Sequence, residues 1–307
     1  MTPPAGRLAI VDIGSNSVRL FLCTGWEDGG PAGERIATVT GLRRGAGPEG
    51  TIAPEALGRL DDCLAGYAER ARGFGPDLVV AVATSAVRDA PNRGEVAAVV
   101  QRRMGVAPRV LSGDEEARVA FAGARLGVPA GTGTIMVVDI GGASTELVRG
   151  DGNGPAGAVS LQLGATRQTE RHLRSDPPLP EEVRALRDDA AALVDGGLAA
   201  IGGAAPAVGV AGTVTSLAAI EIGRYDAEVV HGHVLARDVV ARMADELCAM
   251  TVAERAGVPG LDPARAPTIA GATVIVAAVM ERAGLDEMTV SERDLLDGVA
   301  LSHLPRP

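Results

Sequence analysis

The chain has 307 residues, of which 46% are hydrophobic and only 2% aromatic, and it carries a formal net charge of −10 with 29 basic residues that are all arginine. That length suits two domains with aliphatic cores, and the lack of lysine excludes a Walker A lysine, a Schiff-base mechanism and a lysine-dependent kinase fold. Residues 1–128 are balanced, with 15 arginines and 15 acids, while residues 129–307 hold 14 arginines and 24 acids; an acidic second half with no basic stripe argues against nucleic acid as a partner.

The start, MTPPAGRLAIVDIG, lacks the apolar region of a secretion signal. The longest apolar run, TIAGATVIVAAVM from Thr268, is too short for a bilayer span. Cys23, Cys63 and Cys248 show neither metal spacing nor a disulfide framework. A cytoplasmic protein without a membrane partner is expected.

In chain order, RLAIVDIG, SVRLFLCTG and RIATVTGLRR read as strands divided by Gly or Asn turns. Residues 53–75 read as an amphipathic helix stopped by Gly. PDLVVAVATS is a buried strand, NRGEVAAVVQRRMG a helix, VAPRVLS a strand, and GDEEARVAFAGARLG a helix with acids in its first turn. Around Pro129 the pattern restarts: TGTIMVVDIGG, STELVRG and GPAGAVSLQLG are again three strands. Helices are predicted at about 164–174 and 180–201, then strand, turn and helix in PAVGVAGTVTSLAAIEIG, then helices at about 235–249, 266–284 and 292–303. The two halves therefore share an order and an opening phrase, VDIGSNSVRL and VDIGGASTEL, with Asp12 and Asp139 lying 127 residues apart.

In both phrases a strand ends at Asp and a turn of small residues follows. Backbone N–H groups in such turns can converge on a phosphate. The first loop offers Gly14, Ser15, Asn16 and Ser17, and the second Gly141, Gly142, Ala143, Ser144 and Thr145. The carboxylates Asp12, Asp139 and Glu146 suit a divalent cation, Mg²⁺ before others, with Mn²⁺ as an alternative. Gly212 and Thr213 lie where a strand runs into a helix, a second kind of anion site.

In VLSGDEEARVAFAG, Glu115 and Glu116 diverge by about 100° on a helix, so one of them faces inward. Glu115 is spaced for a surface ion pair with Arg118. GAGPEG (45–50) imitates a dinucleotide loop, but Pro48 interrupts it and no crossover helix follows directly. His231 and His233 in HGH have no further ligands nearby. Both are set aside, and His172 and His303 are read as structural.

Two α/β lobes of repeated order resemble the actin, Hsp70 and sugar-kinase superfamily. VDIGSNSVRL, ATSAVRDAPN, VLSGDEEAR, VVDIGGASTEL, VAGTVTSLAA and VSERDLLDGVAL, in that order, resemble the Ppx/GppA phosphatase family, the exopolyphosphatases and guanosine-pentaphosphate phosphohydrolases. The resemblance implies two actin-like (ribonuclease H-like) domains facing across a cleft, residues 1–128 with the returning helix 291–307, and residues 129–290. It implies Mg²⁺-dependent attack of water on a terminal phosphoryl group. It places the base at Glu116, the loop carboxylates at Asp139 and Glu146, and phosphate-contacting arginines at Arg19, Arg88 and Arg265.

Two departures stand out. Ala143 replaces a usual loop glycine, so its methyl is expected to crowd a phosphate, and the chain has the short form's length. The expected substrate is inorganic polyphosphate, in short chains, with guanosine pentaphosphate (pppGpp) as the alternative. An actin-like ATPase or kinase, an idle alarmone-binding module and a homodimer remain open.

Overall fold

The structure is a computed structural model that describes residues 6–27, 29–47, 49–129 and 132–304. It divides into two compact units, Met1–Leu126 with Leu295–Pro307, and Gly127–Asp294.

The first unit runs β1 (Leu8–Ile13), β2 (Ser17–Glu27), β3 (Gly30–Val39), α1 (Pro54–Phe74), β4 (Leu78–Ala83), α2 (Ser85–Arg88), α3 (Arg93–Met104), β5 (Arg109–Val110) and α4 (Gly113–Leu126). Among the described residues these strands form a five-stranded sheet in the order β3-β2-β1-β4-β5. β1 runs antiparallel to β2 and parallel to β4. Every residue of β1 is buried, as a central strand covered on both faces requires; its unbroken apolar run, LAIV, follows from that position.

Side chains alternate along β2, so Leu20 and Phe21 enter different cores. Leu20 packs with Leu60 and Leu64 of α1 and Val96 and Val100 of α3, and each such leucine contributes roughly 1.5–3 kcal/mol by burial. Phe21 packs on the other face with residues of the C-terminal segment.

The second unit runs β6 (Ile135–Ile140), β7 (Thr145–Asp151), β8 (Gly154–Leu161), α5 (Ala165–His172), α6 (Pro180–Ala200), β9 (Ala207–Val210), α7 (Ala211–Ile222), α8 (Ala227–Val230), β10 (Val234–Ala236), α9 (Arg237–Ala249), α10 (Val252–Arg255), a 3-10 turn at Pro263–Arg265, α11 (Ala266–Arg282) and β11 (Glu287–Val290). Its six-stranded sheet has the order β10-β11-β9-β6-β7-β8. From the opposite edge, β8-β7-β6-β9-β11 reproduces the order of the first sheet, with β10 added beyond. Both sheets thus have the ribonuclease H-like order of actin-like domains, so the expected α/β class holds.

The last helix, α12 (Leu295–Leu301), belongs to the first unit. It packs on α4 so closely that a Cβ on Gly298 would lie 2.7 Å from the carbonyl carbon of Val119. Asp297, fully buried, takes a bidentate hydrogen-bonded ion pair from Arg35 of β3 at 2.7 and 3.0 Å, and the Arg35 guanidinium lies 4.0 Å over the Phe21 ring.

Several expectations need correcting. The helix expected from residue 235 begins at Arg237, because Val234–Ala236 is strand β10, paired with β11. β11 itself was not read from the sequence, since EMTV is only four residues flanked by helical patterns. The final helix is shorter than 292–303, and residues 305–307 lie outside the described residues. The apolar run near Thr268 extends into a helical stretch, Pro263–Arg282, of 20 residues that is long and apolar enough by length and composition to cross a membrane, with 72% of its apolar window buried. It packs against α5, α6 and α9 as the core helix of the second unit. In the GAGPEG segment Pro48 lies outside the described residues, and no helix includes the others.

Candidate active site

In the first unit, Asp12 is the penultimate residue of β1 and lies directly opposite Arg19 of β2. Arg19 donates to Asp12 Oδ2 from Nε at 3.0 Å and from Nη2 at 2.8 Å. The loop between them is closed by Gly14 N–H donating to the Ser17 carbonyl. Ser15 Oγ lies 3.2 Å from Ser85 Oγ, which links the loop to α2. Two loop carbonyls are tied back by the segment after β3: Asn16 O accepts from Gly41 N at 2.8 Å, and Ser15 O from Arg43 N at 3.0 Å. A trans peptide points its C=O and N–H in opposite directions. The amides of Asn16 and Ser17 therefore face away from that segment.

α2 carries Arg88 out of the end of β4. Its Nη1 donates to Glu116 Oε2 at 2.7 Å and to the Leu111 carbonyl at 2.9 Å. Glu116 lies in the first turn of α4 and is buried. Burial raises its pKa from the ordinary 4.5 to about 7; Arg88 opposes the rise, and the charges of Asp12 and Asp89 add to it. Glu115 turns outward and backward. It pairs with Arg109 at 2.5 Å and accepts from Ser112 N at 2.9 Å, which hold its carboxyl well below the usual range. The partner expected from spacing was Arg118. Side chains on a helix lean toward its N-terminus, and from the first turn that direction leads to β5.

In the second unit the same register recurs with a different charge. Asp139 of β6 is directly opposite Glu146 of β7, which is opposite Ser160 of β8. Both carboxylates are buried, and Ser160 Oγ donates to Glu146 Oε1 at 2.6 Å. Two hard oxygen donors on one sheet face suit Mg²⁺, which takes one or two carboxylates and completes its shell with water and phosphate. Among the described residues no group of three or more His, Cys, Asp or Glu side chains forms a metal site. Asp12, expected among the ligands, accepts from Arg19 on its Oδ2.

The second loop closes as the first does, with Gly141 N–H on the Ser144 carbonyl. The start of α5 takes its carbonyls: Gly141 O accepts from Ala165 N, Gly142 O from Thr166 N and Arg167 N, and Ala143 O from Arg167 Nε at 2.7 Å. Thr145 Oγ1 donates to the Leu163 carbonyl. Ala143, Ser144 and Thr145 are buried and Gly141 is partly exposed. The expected crowding of a phosphate by Ala143 has no exposed methyl to rest on.

Gly212 and Thr213 lie in the first turn of α7, whose first residue, Ala211, has a left-handed conformation at φ 64°. A residue with a Cβ pays strain there, and such positions cluster at functional sites. The Arg265 guanidinium lies against Gly212, where a Cβ would come within 2.7 Å of Cζ. The contacts of Arg167 with the loop and of Ser160 with Glu146 are not legible in the sequence; they follow from a helix start and from strand register, which spacing does not reveal. His233 pairs with Glu221, His231 accepts from Glu292 N, and His172 contacts Asp189.

The first unit thus combines a buried carboxyl, an arginine upon it and an adjacent turn, while the second combines paired carboxylates with a like turn and an arginine at a helix start. Residues 34–307 match the Ppx/GppA phosphatase family. The chain is 35% identical to exopolyphosphatase 2 of Mycobacterium tuberculosis, covering 96% of this chain and 98% of that one. Its fold is similar to the crystal structure of an exopolyphosphatase-like protein, with TM-score 0.90, 34% identity and coverage of 96% and 98%. It is also similar to the Ppx/GppA family member of Aquifex aeolicus, with TM-score 0.79, 30% identity and coverage of 97% of each chain. The chain belongs to the Ppx/GppA phosphatase family and is a phosphatase of that kind.

Proposed function

We propose that this protein releases the terminal phosphate of inorganic polyphosphate, with Glu116 as the base that activates water. The observation carrying this reading is the Glu116–Arg88 pair at 2.7 Å, with the carboxyl raised to about 7. A base poised near working pH is half-ionised and still avid for a proton, the condition for efficient general-base catalysis. Glu116 takes the proton of the attacking water. Arg88 holds the carboxylate in place and sets positive charge beside the phosphoryl group. The amides of the first loop hydrogen-bond phosphate oxygens and Arg19 adds charge there, while Arg265 adds charge at the α7 start within the second unit. Phosphoryl transfer needs mainly this positioning and charge stabilisation. Mg²⁺, or Mn²⁺ in its place, would be held by Asp139 and Glu146 and would supply charge to the phosphate oxygens.

Short chains are the favoured substrate. Residues 129–307 carry the whole net charge of −10, and a long polyanion trailing over acidic surface is repelled within a Debye length of about 8 Å. The test is phosphate release with Mg²⁺ from size-fractionated polyphosphate, pppGpp and ATP. The reading expects higher kcat/KM on oligophosphates of a few units than on chains of hundreds, with the gap narrowing as salt rises. Exclusive turnover of pppGpp or of ATP would replace polyphosphate with that nucleotide.

A further inference from the structure

The internal duplication places two arginines equivalently, one behind each loop. Arg43 N donates to Ser15 O at 3.0 Å, and Arg167 N donates to Gly142 O at 3.0 Å. Ser15 and Gly142 each stand three residues after their strand-end aspartates, Asp12 and Asp139. The side chains then part ways. Arg167 Nε donates to the next loop carbonyl, Ala143 O, at 2.7 Å. The corresponding carbonyl of the first loop, Asn16 O, already accepts from Gly41 N at 2.8 Å. Among the described residues the Arg43 side chain has no hydrogen-bond or ion-pair partner, and its Nε is buried without an acceptor.

A buried guanidinium donor without an acceptor is costly, and guanidinium cannot shed its charge. The location gives that cost a use. The Asn92 side chain holds the Ile52 backbone with one hydrogen bond each way at 3.0 Å, which fixes Ile52 beside the Arg88 region. Arg43 Nη1 and the Asp89 carbonyl lie 3.6 and 3.9 Å from the position a Cβ on Gly50 would take. Arg43 thus adjoins both the first loop and the turn that carries Arg88.

We infer that Arg43 is a substrate-binding residue, whose guanidinium takes a phosphate oxygen of the bound phosphoanhydride chain beside the first loop. Arg167 is the equivalent residue turned to a different task, holding the second loop in shape. The inference rests on the phosphohydrolase reading for its ligand class, and the test separates the two.

The experiment is calorimetric titration of sodium tripolyphosphate into chains that all carry Glu116→Gln, so that turnover does not intrude. Arg43→Ala, Arg43→Gln and Arg43→Lys are compared with Arg72→Ala, an exposed arginine at the end of α1 that removes the same charge. Arg43→Ala and Arg43→Gln should each weaken Kd roughly tenfold, the size of one charge-assisted contact. Arg43→Lys should recover part of the loss, and Arg72→Ala should leave Kd within about twofold. Circular dichroism checks that each chain is folded, and Arg43→Lys carries the comparison if the truncations do not fold. Binding by the Arg43 variants as tight as that of Arg72→Ala overturns the inference, as does a parent chain that does not bind tripolyphosphate. In otherwise wild-type protein, failure to release phosphate defeats the hydrolase reading, while a tenfold loss of tripolyphosphate affinity would still uphold Arg43.

Discussion

Arg19 stands in the first unit at the register position that Glu146 holds in the second: Asp12 faces Arg19 across β1 and β2, and Asp139 faces Glu146 across β6 and β7. One repeat unit thus yields an internally compensated carboxylate, and the other a pair of like-charged carboxylates. A pair of buried carboxylates favours a cation or a shared proton, whereas an aspartate under a guanidinium does neither.

The metal dependence should follow that asymmetry. Asp139→Asn and Glu146→Gln should each move half-saturation by Mg²⁺ to at least about tenfold higher concentration, one tenfold step per 1.4 kcal/mol of lost binding. Asp12→Asn should change the half-saturation little and act on kcat through Arg19. Mg²⁺ titrations of phosphate release read all three, and unchanged curves for both Asp139→Asn and Glu146→Gln would place the cation elsewhere.

The pH profile should carry an acid limb from Glu116. Its pKa is raised to about 7, so the protein holds the base protonated below that pH and kcat/KM should rise as pH increases through it. Arg88 lowers the value, so in Arg88→Met the limb should move to higher pH, in addition to the loss of a phosphate contact. A profile flat from pH 5 to 9 in the wild type would contradict the assignment.

The same proton acts on stability. Between 4.5, the ordinary value, and about 7 the folded chain holds a proton that the unfolded chain has lost. The contribution is therefore fully present below 4.5 and is lost as pH rises through about 7. Glu116→Gln should remove this slope, seen as a smaller fall in urea midpoint between pH 5 and pH 8 than in the wild type.

Much of this site could be read in the sequence, and what could not has physical causes. The two Asp-Ile-Gly phrases mark the loops because a strand end and a tight turn are local features. The contact of Arg88 with Glu116, 28 residues away, is made by tertiary packing and leaves no periodic trace. The inward choice between Glu115 and Glu116 stays open on a helical wheel until Arg109 claims one of them. β10 and β11 escape notice because three or four residues are too few to show alternation. The repeat itself is legible in the order of elements and the shared phrase, while its actin-like architecture is what the resemblance implies, and the sheet orders agree with it.

The clasp between Arg35 and Asp297 should govern the first unit's stability. Asp297 is fully buried, so Asp297→Ala leaves Arg35 unpaired over Phe21 and should cost about 3 kcal/mol, the low end for a broken buried pair because Arg35 keeps some exposure. The chain's single tryptophan, Trp26, lies in that unit. Its fluorescence during urea unfolding measures the effect; a midpoint unchanged from wild type would show that the clasp contributes nothing.

The most direct test of Glu116 as the base compares two neighbouring carboxylates on one helix. Glu116→Gln keeps shape and hydrogen bonding while removing the proton acceptor, so kcat for phosphate release from short polyphosphate should fall by at least about 10². Glu115→Gln disturbs only an exposed contact with Arg109 and Ser112 and should change kcat by less than about threefold. Equal losses in the two variants, or a larger loss at Glu115, would contradict the account.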